Sequence, residues 1–303
     1  MALRSEMTKP RALVTGRTGF TGVYVARELE RAGYEVFGLS NHPGENGAGS
    51  IRVDLLDRVA LRQAVADLRP EVVIHLAAIA FVAHGDVGEM YQVNVVGTRN
   101  LLDALASAAS QPRLVVLASS ANIYGNAAVE PITEETLPAP ANDYAVSKLA
   151  MEHMARLWTG KLPMVFVRPF NYTGLGQSEQ FLIPKIVAHF RRRERSIELG
   201  NTDVVRDFSD VRDIARYYLE IIRREPVGET LNLCSGRGHS LDDVLGTMAE
   251  IAGYEIERRV NPAFVRANEV HRLVGSNAKL HDRLGIGHPV PLRETLAWMY
   301  AGS

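Results

Sequence analysis

Tyr144-Ala-Val-Ser-Lys148 is a tyrosine and a lysine spaced to do chemistry together. On a helix, a separation of four sets both side chains on one face, a single turn apart. An ammonium that close favours tyrosinate and lowers the phenol from its usual pKa of ~10. Such a tyrosine exchanges a proton with a hydroxyl or carbonyl near neutral pH. An exposed helical pair without function has the same spacing. A hydroxyl stands upstream, in Ala118-Ser119-Ser120-Ala-Asn122-Ile-Tyr124-Gly125. Ser120 falls at the carboxyl end of an expected strand, where open α/β sheets bind ligands. It could hydrogen-bond a carbonyl oxygen as that atom gains or loses charge. A turn serine is the plainer alternative.

Gly16-Arg-Thr-Gly19-Phe-Thr-Gly22 is the second constellation. It lies between an expected strand, Arg11 to Thr15, and an expected helix, Val23 to Ala32. In that context one glycine permits a tight turn, the next admits a pyrophosphate, and the third lets helix and strand pack closely. The helix N-terminus offers free N–H groups and a positive dipole end to the phosphates. A glycine-rich turn without a ligand is the alternative. The cofactor candidates here are Gly16, Thr18, Gly19, Phe20 and Gly22. Asp54, followed by Leu55, could accept a hydrogen bond from an adenine amino group or could simply form a turn. An acid ending the second strand favours NAD and an arginine favours NADP. The chain has Leu39-Ser40-Asn41-His42 there, so NAD and NADP both stay open. Lys148 could also hold the ribose hydroxyls of a nicotinamide coenzyme.

These residues need a frame. Strands are expected at Arg11 to Thr15, Glu35 to Leu39, Ile51 to Leu55, Glu71 to Leu76, Arg113 to Ala118 and Met164 to Val167. Helices are expected at Val23 to Ala32, Leu61 to Leu68, Tyr91 to Ser107 and Asp143 to Thr159. Alternation of helices with strands apolar on both faces calls for a parallel sheet covered on both sides. The fold class is therefore α/β, a Rossmann doubly wound sheet, with a smaller C-terminal mixed α/β lobe. In the second half, helices are expected at Phe181 to Arg193, Val211 to Arg224, Leu241 to Ile251 and Leu292 to Tyr300. A strand containing Cys234 is expected at Thr230 to Cys234. Asn171 to Gln177 is Gly-rich and turn-like, and marks a boundary. We expect a disordered lead-in at 1–9. A cofactor domain is expected at 10–175 plus about 208–238, and a substrate lobe at 176–207 plus 239–303.

The chain has 303 residues, 46% hydrophobic and 23% charged, which supplies ample material for a core and excludes disorder as the main state. Its 34 basic and 35 acidic side chains leave a net charge of −1. No global field draws it to nucleic acid or an anionic membrane, and neither is an expected partner. One cysteine makes an internal disulfide impossible and argues against a Cys-based metal site, so no metal is expected. No apolar run approaches the ~20 residues of a membrane span, and Met1 to Lys9 lacks the apolar core of a secretory signal. A cytoplasmic location is expected.

In combination these segments resemble the extended short-chain dehydrogenase/reductase family, in the branch that acts on nucleotide sugars. The markers are Thr15-Gly-Arg-Thr-Gly-Phe-Thr-Gly22, His75-Leu-Ala-Ala78, Asn94-Val-Val-Gly-Thr98, Ser119-Ser-Ala-Asn-Ile-Tyr-Gly125, Tyr144-Ala-Val-Ser-Lys148 and Arg168-Pro-Phe-Asn171. Arg206-Asp-Phe-Ser-Asp-Val-Arg-Asp213 and Asn232-Leu-Cys-Ser-Gly236 continue the series, so the resemblance runs from about Arg11 to Tyr300. It implies a nicotinamide-dependent redox step at a sugar carbon. Ser120, Tyr144 and Lys148 match the catalytic trio, and Ala77 and Ala78 match the segment lining the cofactor. Asn171 and Arg206 match residues that contact the nucleotide-sugar diphosphate, and Lys185 is a weaker candidate beside them. Arg266 and Glu269 match a nucleotide-gripping segment of the GDP-mannose branch, although Ala267 stands where that branch has proline.

The activity implied is NAD(P)H-dependent reduction of the C4 keto group of a GDP-4-keto-6-deoxy hexose. A nucleotide-sugar 4-epimerase with retained NAD and a non-catalytic NAD(P)-sensing protein are the alternatives. A 4,6-dehydratase is disfavoured: such enzymes carry a glutamate two residues after the catalytic Ser or Thr, and the chain has Asn122, a candidate substrate contact. An amide cannot abstract the C5 proton. The family usually dimerises through two long helices, here Tyr91 to Ser107 and Asp143 to Thr159. Ala104, Ala106 and Ala108 on the first would permit close approach, or could equally pack on the sheet.

Overall fold

The computed structural model describes residues 9–40, 49–80, 86–265 and 270–302. Residues 1–8 of the expected lead-in, Asn41, His42, Arg266 and Glu269 lie outside the described residues. In chain order the strands are β1 (Arg11–Thr15), β2 (Glu35–Ser40), β3 (Ser50–Arg52), β4 (Val72–His75), β5 (Leu114–Ala118), β6 (Met164–Pro169), β7 (Asn171–Thr173), β8 (Ser196–Leu199), β9 (Val205–Asp210), β10 (Thr230–Leu233), β11 (Gly238–Ser240), β12 (Glu257–Val260) and β13 (Arg272–Leu273). The helices are α1 (Phe20–Arg31), α2 (Arg58–Leu68), α3 (Val87–Tyr91), α4 (Thr98–Ala106), α5 (Asp143–Arg156), α6 (Leu182–Arg191), α7 (Val211–Arg224), α8 (Leu241–Ala252), α9 (Ala278–Leu284) and α10 (Leu292–Ala301).

Seven strands form one sheet in the order β10-β6-β5-β4-β1-β2-β3, with every neighbouring pair parallel. Period-two alternation explains why these apolar runs are strands. Ala12 and Val14 of β1 turn to a layer built with α1 and α7, while Leu13 turns to the layer of α2, α4 and α5. Both faces are covered, as the apolar strands require. Winding proceeds outward in opposite directions from β1 and β4. The crevice beyond their carboxyl ends is the switch point where such sheets bind ligands.

Most of the remaining elements form a smaller mixed α/β unit, whereas α9 packs through Leu280 and Leu284 into the sheet layer of α1 and α7. Ile186, Phe190, Val244, Met248 and Leu296 bring α6, α8 and α10 together over β8. β9 lies between β11 and β13, and its second half pairs with β7. It thus runs across the division expected near residue 207. Among the described residues, no helix is long and apolar enough to cross a membrane.

Several boundaries differ from the sequence expectation, each for a local reason. α1 starts three residues earlier than expected, because Gly19 takes the extended conformation of an N-cap (φ −69, ψ 167). α2 starts at Arg58, where the Asp57 side chain accepts from the amides of Val59 and Ala60. The helix expected over 91–107 begins at Val87 and carries a π turn, Gln92–Gly97, between α3 and α4. β3 is shorter than expected and ends at Arg52, and α5 ends at Arg156 rather than Thr159. Cys234 lies one residue past β10, fully buried. Ala104 is buried in the sheet layer and Ala106 and Ala108 pack against the same core, so these small residues serve the sheet.

Asp210 ties the two units together. It is buried at the N-cap of α7, and its Oδ1 accepts from Arg212 N at 2.7 Å. Oδ2 accepts from Arg212 Nη2 at 2.6 Å and from Thr295 Oγ1 of α10 at 2.7 Å. Asp210→Ala removes the cap and strands the Thr295 hydroxyl. The expected cost is ~2 kcal/mol, read as a lower urea midpoint with unchanged slope. A midpoint equal to wild type would show that Asp210 does not join the units.

Candidate active site

The turn after β1 fits a dinucleotide because there is no room for side chains. Gly16 has φ +71, and a Cβ there would meet Ala77 N at 3.0 Å. A Cβ on Gly22 would meet the Gly16 carbonyl oxygen at 2.0 Å. Gly19 N donates to Gly16 O at 3.0 Å, and Thr18 and Gly19 are exposed. No side chain caps α1 and its first turn holds no acid, so its dipole end stays available to an anion. The residues present therefore suit a pyrophosphate. Phe20 is already engaged with protein: its ring stacks at 6.0 Å on Tyr172 and meets Tyr24 edge-on at 5.8 Å. Asp54 makes a turn, its Oδ1 accepting from Leu56 N at 2.8 Å, and Leu55 is buried. Ala77 and Ala78 are half-buried beyond β4, and Ala77 lies against Gly16.

Beneath the crevice runs a buried chain of hydrogen bonds whose directions can be deduced. Thr98 Oγ1 donates to Asn94 O at 2.7 Å, so it can only accept from His75 Nε2 at 2.8 Å. His75 Nδ1 then accepts from Thr15 Oγ1 at 2.7 Å, and Thr15 Oγ1 accepts from Ala77 N at 3.1 Å. Burial, and secondarily the Lys148 charge, push His75 down to about 3, so it is neutral. The π turn brings Asn94 inward. Its Oδ1 accepts from Ile79 N at 2.8 Å, and its Nδ2 donates to Ser147 Oγ at 3.0 Å. Ser147 Oγ donates to the Tyr144 carbonyl at 2.8 Å. The lining strand end and the start of α5 are thus held in one network.

Asn142 caps α5, accepting from Ala145 N, and Tyr144 and Lys148 follow in its first turns. Both are buried, at 9% and 4% exposure. Lys148 Nζ donates to Ala118 O at 2.7 Å, at the end of β5. Burial pulls Lys148 down to about 8, opposed by the Glu152 carboxylate. The expected depression of the tyrosine is not found. Burial pushes Tyr144 up to about 12, and the Ser120 hydroxyl is what pulls it back. At neutral pH Tyr144 is a phenol, a proton donor. Ser120 is 6% exposed at the N-cap of the 3-10 turn Ala121–Tyr124, and its Oγ accepts from Asn122 N at 3.2 Å. That turn sets Asn122 beside Ser120.

The remaining candidates lie toward the smaller unit. Asn171 is exposed at the start of β7 and pairs with Phe208 of β9, two residues from Arg206. Arg206 Nη1 donates to the carbonyls of Val205 and His271, each at 3.1 Å. The neighbouring carboxylates are committed elsewhere. Asp207 accepts from Ser235 N, Ser235 Oγ and Gly236 N at 2.6–2.9 Å, and burial pushes it up to about 6. Lys185 stands apart: its Nζ donates to Glu198 O at 2.6 Å and lies 4.5 Å from the Phe264 ring centroid. Arg266 and Glu269 are outside the described residues. Sequence reasoning missed Glu152 and Phe264 altogether, and Arg168 entered it only within a family marker. It quoted His75, Asn94 and Thr98 only as family markers. Among the described residues, no three His, Cys, Asp or Glu side chains group as metal ligands.

The model of the NAD dependent epimerase/dehydratase family matches residues 12–234. GDP-6-deoxy-D-talose 4-dehydrogenase of Aggregatibacter actinomycetemcomitans is 34% identical over 90% of each chain. GDP-6-deoxy-D-mannose reductase of Pseudomonas aeruginosa is 34% identical over 94% of each. Among solved structures, a putative epimerase from Burkholderia cenocepacia is 51% identical with TM-score 0.90, covering 96% of this chain and 97% of that one. The structure of RMD from Pseudomonas aeruginosa complexed with NADPH is 32% identical with TM-score 0.84, covering 97% and 98%.

His75 gives a pH prediction with a definite sign. The unfolded imidazole takes a proton below its usual 6.5, while the native one does so only near 3. Between those values the unfolded state holds more protons. Stability is full above pH 6.5 and falls as pH drops, by up to ~1.4 kcal/mol per unit from this group. His75→Gln should show a shallower acid loss than wild type in urea melts at pH 7, 6, 5 and 4. Identical slopes would contradict a neutral buried His75.

Proposed function

The chain belongs to the NAD-dependent epimerase/dehydratase family, and on that footing we propose that it reduces the C4 keto group of a GDP-4-keto-6-deoxy hexose to a GDP-6-deoxy hexose with NADPH or NADH. What carries the reading is that Ser120, Tyr144 and Lys148 meet in one buried crevice, with an amide at position 122 instead of a base. The two curated relatives described above, one named for a GDP-6-deoxytalose and one for a GDP-6-deoxymannose, support the substrate class.

Gly16, Thr18, Gly19 and Gly22 hold the coenzyme diphosphate, and Asp54, Leu55, Ala77 and Ala78 flank it. When bound, the coenzyme supplies the hydride to C4. Tyr144, a phenol at neutral pH, gives its proton to the C4 oxygen. Ser120 accepts from Asn122 N and so keeps its own proton to donate to that same oxygen. Lys148 spends one donor on Ala118 O and has two left for ribose hydroxyls. Asn171 and Arg206, with Arg266 and Glu269, hold the nucleotide diphosphate, Lys185 being the weaker candidate, and a guanidinium suits that task by its planar fork. In this reading the cofactor domain is 10–175 plus about 208–238, and the substrate lobe is 176–207 plus 239–303. The single buried cysteine suits a cytoplasmic enzyme.

The test is NADPH and NADH oxidation with GDP-4-keto-6-deoxymannose and identification of the product sugar. Stoichiometric oxidation is expected. Tyr144→Phe should lower turnover by ~10²–10⁴-fold while coenzyme binding persists. Full turnover in that variant would remove Tyr144 as the acid. The 51% identical structure described as a putative epimerase favours one second reading, a nucleotide-sugar 4-epimerase. Coenzyme retained through purification, with no net oxidation, would select it.

The same reading includes a homodimer through the helices at 87–106 and 143–156. Val87, Val96 and Val146 are exposed there, and Tyr91 donates to Asp143 at 3.3 Å between the two helices. Light scattering should give twice the chain mass of 33.4 kDa, and Val146→Glu should shift the protein toward monomer. A monomeric wild type would remove the dimer.

A further inference from the structure

One buried ion pair links every element that carries the trio. Glu152 lies one turn after Lys148 on α5, and Arg168 lies on β6; their side chains are 2% and 7% exposed. The pair is bidentate: Arg168 Nε donates to Oε1 at 2.9 Å and Nη2 to Oε2 at 2.8 Å. The remaining donor, Nη1, reaches Tyr124 Oη at 2.9 Å and Glu134 O at 3.2 Å. Tyr124 ends the turn that Ser120 opens, and its hydroxyl donates to Asn232 Oδ1 of β10 at 2.8 Å. Asn232 is locked in turn, with its Nδ2 on Ile132 O at 3.1 Å and its N on Glu134 Oε1 at 2.7 Å. The helix of Tyr144 and Lys148 and the turn of Ser120 and Asn122 are therefore held in register through one guanidinium.

We propose that Glu152 and Arg168 are positioning residues for the reaction: they clamp α5 against the Ser120–Tyr124 turn, and Glu152 supplies the counter-charge to the buried Lys148 ammonium. This rests on the reading that Ser120, Tyr144 and Lys148 perform the proton transfer. The titratable and charged groups coupled to Lys148 are Glu152 on α5 and His75 on β4; Tyr144 precedes it by one turn, and Arg156, Arg168 and, through Arg168, Tyr124 gather around Glu152. His75 is neutral, Tyr144 and Tyr124 are phenols, and Arg156 stands 3.6 Å from Glu152. Glu152 is thus the single anion facing Lys148 among these groups. Arg168 keeps it ionised, holding its carboxyl below the usual range against the effect of burial.

The test compares wild type with E152Q, E152D and E152Q/R168Q, the last removing both charges of the pair so that Arg168 is not left without its carboxylate. Coenzyme binding is followed across pH 6–10 by NADPH fluorescence, which needs no sugar. Turnover and KM with GDP-4-keto-6-deoxymannose are measured alongside. In E152Q the alkaline limb of NADPH binding should move down by about one pH unit, because the Lys148 ammonium has lost its counter-charge. E152Q/R168Q should show the same displaced limb and about a tenfold loss of turnover with little change in KM. E152D keeps the charge and should keep the wild-type limb. If E152Q does not fold, the double variant decides. A wild-type limb and wild-type turnover in E152Q/R168Q would reduce the pair to a packing element and overturn the proposal. Failure of wild type to oxidise NADPH with the sugar would instead overturn the assigned reaction, and the binding limb would still report on Glu152.

Discussion

A lysine ammonium held out of water is the constraint around which the crevice is organised. Lys148 is 4% exposed, and among the described residues its hydrogen-bond acceptor is the Ala118 carbonyl. Burial favours loss of its proton, so a charged Lys148 requires an anion nearby. Glu152 provides it, but a carboxylate at 2% exposure carries the same difficulty with opposite sign. Arg168 resolves that with a planar fork that matches both oxygens. Its last donor requires Tyr124, and the Tyr124 hydroxyl requires Asn232. Each desolvated group obliges the next, and the sequence of obligations ends at the backbone of the 132–134 loop. This is why one helix, two sheet strands and a 3-10 turn meet at fixed spacing behind the trio.

The coenzyme side obeys a different rule, exclusion of side chains. β1 and β4 are neighbours, and their carboxyl ends diverge into connections that run opposite ways. The backbone of Gly16 lies directly on Ala77, and Gly22 fits because it has no Cβ to meet the Gly16 carbonyl. Close approach leaves Ala77 N facing protein, and the Thr15 hydroxyl accepts from it. His75 and Thr98 carry that bond across to the π turn. The π turn adds the residue that brings Asn94 under the crevice, where it meets both Ile79 and Ser147. Cradle and acid are thus built by separate means and joined through Asn94.

Much of this was legible in the sequence, for identifiable reasons. The sheet strands are continuous apolar runs with glycine or proline beside them. The glycine turn and the Tyr144–Lys148 pair depend on neighbours within seven residues. What could not be read depends on distant partners. Glu152 looks like a surface residue of a helix until Arg168, 16 residues on, is known to face it. His75 joins Thr15, 60 residues before it, to Thr98, 23 after. β7, β11 and β13 span two or three residues each, too short for periodicity, and exist because β9 lies between them. The tyrosine was misjudged because spacing reports proximity to Lys148 and says nothing of burial. In the folded chain desolvation sets the direction, and what opposes it is the Ser120 hydroxyl.

That reversal bears on the direction of the proposed chemistry. A tyrosinate at rest would serve a base that oxidises an alcohol. A phenol pushed up to about 12 holds its proton until a stronger demand appears, and a C4 oxygen gaining negative charge as hydride arrives makes that demand. The two shifts work together. Burial raises Tyr144 and lowers Lys148, bringing a phenol and an ammonium of ordinary pKa ~10 into unequal roles, one a reluctant acid and the other a charge near its own midpoint. Once the phenol gives up its proton, the ammonium one turn away stabilises the phenolate in a medium with little water to screen it. An anion at position 122 would oppose that charge development and offer a base for elimination. Asn122 does neither, and the crevice is left with one proton to give and no carboxylate in reach of the sugar at that position.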